Sequence, residues 1–67
     1  MSKPLSEYER ELEEALSCLD EVTKIRVRAD QVVGHEYFDD EDERHQALRK
    51  AVEAARELKA AKIRRVA

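Results

Sequence analysis

Residues 5–33 read LSEYERELEEALSCLDEVTKIRVRADQVV, and their spacing decides the fold class. Two heptad series interleave in this stretch. Tyr8, Ala15, Val22 and Ala29 form one, and Leu5, Leu12, Leu19, Arg26 and Val33 form the other. Together they step by three and four residues, which is the period of one face of an α-helix lying against another helix. Arg26 is the single charged interruption: it either sets register or marks where the seam rotates towards Ile25.

The ends of this stretch carry helix punctuation. Ser6-Glu7-Tyr8-Glu9 has the form of a capping box, with acids in the turn where the helix dipole favours negative charge. Gly34 stands where a left-handed residue would close the helix. These signals predict one helix over about 6–33, about 40 Å long. Lys24 to Ala29 alternates basic and apolar residues as a strand would, but a lone strand would have no neighbour and the heptads run through it.

Beyond Gly34 the chain is predicted to pass through a connection at 34–39 into a second helix over about 40–65. Asp40-x-x-Glu43 repeats the capping-box form, and Asp39–Glu43 places an acidic turn at the helix start. The stripe of this second helix is Leu48, Ala51, Val52, Ala55 and Leu58, set in an alanine-rich sequence with high helix propensity. Tyr37 and Phe38 lie at the turn, placed either to close the end of the core or to anchor a partner.

Charge distribution sets the orientation. Residues 6–33 hold eight acids and four bases, residues 34–43 six acids and no base, and residues 44–67 eight bases and two acids. Folding antiparallel at Gly34–Phe38 sets Lys59–Arg65 beside Glu7–Glu14, and Lys24, Arg26 and Arg28 near Asp39–Glu43. Exposed pairs of this kind contribute about 0–1 kcal/mol each, so their effect is on direction more than on stability. The expected fold is all-α: an antiparallel two-helix hairpin, completed as a four-helix bundle by homodimerisation or by packing on a partner protein.

The need for company follows from size. Sixty-seven residues make a marginal core. Leu16, Ile25 and Val32, with Cys18 nearby, form a second apolar row beside the seam, wider than one slim alanine-rich helix covers. Thus the residues expected at an interface are Leu12, Leu16, Leu19, Val22, Ile25, Tyr37, Phe38, Leu48, Val52 and Leu58.

Other function classes find little support. The sequence has no glycine-rich phosphate loop, nucleophile elbow or CxxC pair. Cys18 is the lone cysteine, and a thiol packed in a helix interface is inert, so no catalytic residue and no cofactor is assigned. Glu41, Asp42 and His45 share a helical face and are the best metal-ligand candidates, but they sit at a helix start and not in mid-bundle. The bases of helix two (Arg49, Lys50, Arg56, Lys59, Lys62, Arg64 and Arg65) offer an alternative nucleic-acid face. A net charge of −3 and the lack of interleaved aromatics oppose it. No apolar run exceeds two residues, which excludes a spanning segment. One cysteine with no leader-like start fits the cytoplasm. The sequence therefore points to a non-enzymatic protein–protein interaction module, an adaptor, co-chaperone or inhibitor, whose partner is itself or a target protein.

Overall fold

The computed structural model describes residues 3–37 and 43–66, with backbone only at 36, 37, 65 and 66. All regular structure in it is helical: α1 (Leu5–Leu16), α2 (Glu21–Arg28), a 3-10 turn at Gly34–Tyr37, and α3 (Glu43–Val66). The expected long first helix is thus two helices, and the expected hairpin is a three-helix fold in which α1 packs on α3. The possible strand at Lys24–Ala29 is helical, within α2 up to Arg28.

The break at Ser17–Asp20 needs neither proline nor glycine. Cys18 and Leu19 donate their N–H groups to the carbonyls three residues back, Ala15 (3.4 Å) and Leu16 (2.9 Å), which tightens the end of α1. The Ser17 hydroxyl donates to the Glu14 carbonyl at 2.6 Å, a local bond that competes with helix continuation. Asp20 then adopts extended backbone, and its Oδ1 accepts the Thr23 N–H at 2.7 Å. That is an N-cap restarting the chain as α2. Hydrogen bonds from Thr23 hold the Asp20 carboxyl below its ordinary pKa.

The other two boundaries also differ from expectation. Helix α1 begins at Leu5, after Pro4, with no side-chain cap, so the capping box at Ser6 does not form. Helix α2 ends at Arg28 and is closed by Asp30, not by Gly34. Asp30 has φ 57°, the Gln31 N–H reaches the Arg26 carbonyl at 2.9 Å, and the Asp30 N–H reaches the Val27 carbonyl at 3.1 Å. This is a Schellman closure with aspartate in the left-handed position. Gly34 has no positive φ and opens the 3-10 turn instead.

Three helices and the loop after α2 close around one core. Leu12 and Leu16 from α1, Val27 from α2, Val32 from the following loop, and Ala51 and Val52 from α3 are all buried. Ala15, Leu19, Leu48, Ala54, Ala55 and Leu58 pack half-buried around them. Cys18 and Leu19 line one depression with Arg44, His45, Ala47 and Leu48, while Glu9 and Leu12 line another with Leu58 and Lys62. Helices α1 and α3 therefore run in opposite directions. Helix α2 starts beside the first turns of α3 and ends beside Lys59 and Lys62.

Ion pairs among the described residues support this arrangement; the expected approach of Lys24, Arg26 and Arg28 to Asp39–Glu43 falls mostly outside those residues. Arg28 at the end of α2 pairs with Glu13 of α1, and Lys59 stands 3.8 Å from Asp30. Lys24 pairs with Glu21 at 3.2 Å within α2. Lys3 reaches Glu11 at 2.8 Å and lies 5.1 Å from the centre of the Tyr8 ring; the Glu11 hydrogen bond raises the Lys3 pKa. Of the bases of α2, Lys24 and Arg28 thus face Glu21 and Glu13, and Arg26 donates to the Gln31 carbonyl at 3.3 Å.

Candidate interaction surface

The break at Ser17–Asp20 rephases the seam. Within α2, Val27 turns inward and is 3% exposed, while Val22 and Ile25 turn outward at 68% and 65%. Three residues apart on one helix, Val22 and Ile25 are neighbours on the outer face. Val33 in the loop and Ile63 near the end of α3 are also exposed, at 50% and 59%. The apolar row expected to be surplus is thus divided. Leu16 (1% exposed) and Val32 are covered by the chain's own elements, and Ile25 is left in solvent.

The ten residues expected at an interface fall into three groups. Leu12, Leu16 and Val52 are in the core, and Leu19, Leu48 and Leu58 pack half-buried against it. Val22 and Ile25 stand on the outer face of α2. Phe38 and the Tyr37 side chain lie outside the described residues, as do Asp39, Asp40, Glu41 and Asp42.

Ile63 borders a groove of about 380 Å³ between the end of α2 and the second half of α3. Its floor is Leu12, Val27, Ala55 and Leu58, and its rim carries Arg28, Arg56, Lys59 and Lys62 with one acid, Asp30. Arg28 and Lys59 face Glu13 and Asp30, whereas Arg56 and Lys62 have no ion pair among the described residues. A second depression that shares Leu12, Leu58 and Lys62 brings Glu9 and Glu13 near Lys62. The sequence pattern placed Arg56, Lys59 and Lys62 on helix two and Arg28 on helix one but did not reveal the groove, because Val27 belongs to neither heptad series.

Cys18 and His45 line a common depression with Asp20, Thr23 and Arg44. Cys18 is exposed in the turn and not packed in a helix interface, because the break removes it from the helix. His45 is half-buried, and its Nδ1 is buried with no hydrogen-bond partner. Asp20 is occupied as the cap of α2. Among the described residues no group of three His, Cys, Asp or Glu side chains could hold a metal ion. No described helix is long and apolar enough to cross a membrane.

Comparisons with protein-family models, with curated proteins and with solved structures find no match to this chain.

Proposed function

We propose that this chain is a non-enzymatic protein–protein interaction module that presents the outer face of α2 to a target protein. The observation that carries this reading is the outward pair Val22 and Ile25, more than 60% exposed on a helix whose other large apolar residue is buried. Burying a side chain of this size contributes about 1.5–3 kcal/mol. A chain of 67 residues leaves that stabilisation unused in two adjacent places while building its core largely from leucine, valine and alanine. Contiguous exposed apolar surface marks interaction sites.

The surroundings of the pair suit docking. Helix α2 is held at both ends, by the Asp20 cap and by the Asp30 closure, so it meets a partner already formed. Pre-ordering reduces the entropic cost of association. Arg26 and Lys24 flank the pair and give the face a polar rim.

The test is affinity capture from the native cell with the wild-type chain and with Val22→Gln/Ile25→Gln as bait, helicity being matched by circular dichroism. The reading predicts one or more proteins retained by the wild type and lost from the double variant. Identical retention by both baits contradicts it.

A further inference from the structure

We propose that the groove between α2 and α3 receives the acidic turn of a second copy of this chain, so that two copies pair reciprocally. The groove has an apolar floor under four cations, Arg28, Arg56, Lys59 and Lys62, against one acid, Asp30. The complementary chemistry is an acidic segment with bulky apolar anchors. Residues 34–43 of the same sequence have it: six acids, no base, and the adjacent aromatics Tyr37 and Phe38.

Covalent reach excludes self-docking at the far end of the groove. Counted along α3, Lys59 and Lys62 stand about 24 and 29 Å from Glu43 at 1.5 Å per residue. Asp39 is four residues from Glu43, so even full extension carries it only about 14 Å. The acids therefore meet these lysines from another molecule.

The layout also selects the symmetry. The acidic turn precedes the first residue of α3, and the groove flanks its second half. Two copies with their α3 helices opposed bring each acidic turn to the other's groove. The contact is then isologous and closes as a dimer with no open end. Glu13 and Asp30 already face Arg28 and Lys59, so Arg56 and Lys62 are the cations with most to gain from the incoming acids.

Sedimentation equilibrium of the full chain at low and high salt tests this. The expected result is a dimer that weakens with salt. Arg56→Glu/Lys62→Glu and, separately, Asp40→Lys/Asp42→Lys should each weaken it on the order of tenfold or more, since close charge pairs at interfaces carry coupling of that size. Mixing the two variants equimolar should restore a heterodimer, because both contacts then regain opposite signs. A monomeric wild type, a dimer indifferent to both reversals, or variants that fail to complement overturns the proposal. So does a monomer whose four cations instead bind an RNA oligonucleotide or a fatty acid. Val22→Gln/Ile25→Gln leaves this dimer intact, so failure here is distinguishable from failure of the target-binding reading.

Discussion

Helices α1 and α2 were drawn from one continuous heptad pattern, yet they use their apolar residues in opposite ways. In α1, Leu12 and Leu16 are buried and no large apolar side chain is fully out. In α2, Val27 is buried while Val22 and Ile25 face solvent. Four residues, Ser17 to Asp20, separate the two regimes. The difference shows that a seam can be continuous in sequence and discontinuous in space. The first half holds the fold against α3, and the second offers the same residue types to solvent.

The largest test of that contrast is core truncation. Leu16→Ala removes the most buried large side chain and should cost about 2–5 kcal/mol in urea unfolding. A cost below 1 kcal/mol would mean that α1 is not the structural half. The end of α2 gives the next largest effect, of opposite sign. Asp30 holds φ 57°, a conformation that glycine adopts without the Cβ clash. Asp30→Gly should therefore stabilise by several tenths to about 1 kcal/mol. Gly34→Ala, at a residue with no positive φ, should be neutral or raise stability by about 0.4–1 kcal/mol. Destabilisation at Gly34 together with no gain at Asp30 would return the helix end to where the sequence pattern put it.

The smallest effect is titration of the cap between the two regions. The folded-state pKa of Asp20 is depressed by Thr23, so its contribution is fully present above the ordinary carboxylate value of about 3.9. It is lost as pH falls through the lower folded-state value. Acid titration of helicity should show a component in this range that Asp20→Asn flattens, and an unchanged profile in Asp20→Asn would remove the cap from the account.

Much of the fold was legible in the pattern. The helical class, the alanine-rich stripe of α3 and the opposed direction of α1 and α3 follow from period and charge. The split of the first helix did not, because Leu12, Ala15, Leu19 and Val22 keep their three-and-four steps straight through the break. The signal lay in hydrogen-bonding residues: Ser17, which bonds backward to Glu14, and Asp20-x-x-Thr23, an N-cap spacing inside an apparently unbroken seam. Gly34 attracted the helix end because glycine is the commonest left-handed residue, whereas Asp30 performs that role here. At the surface, Val22 was expected at an interface from the seam and Ile25 from the row beside it; both are exposed, whereas six others of the expected ten pack in or against the chain's own core. The cation-rimmed groove was invisible, since it depends on Val27 and on α2 folding back along α3.

The most direct measurement is the unfolding free energy of Val22→Gln/Ile25→Gln beside that of the wild type at one protein concentration. If the outer face of α2 is spare surface, the two values agree within about 0.5 kcal/mol, as for substitutions away from buried features. A loss of 2 kcal/mol or more would show that Val22 and Ile25 are covered by the chain's own core in solution, and it would contradict the assignment of this face to a partner.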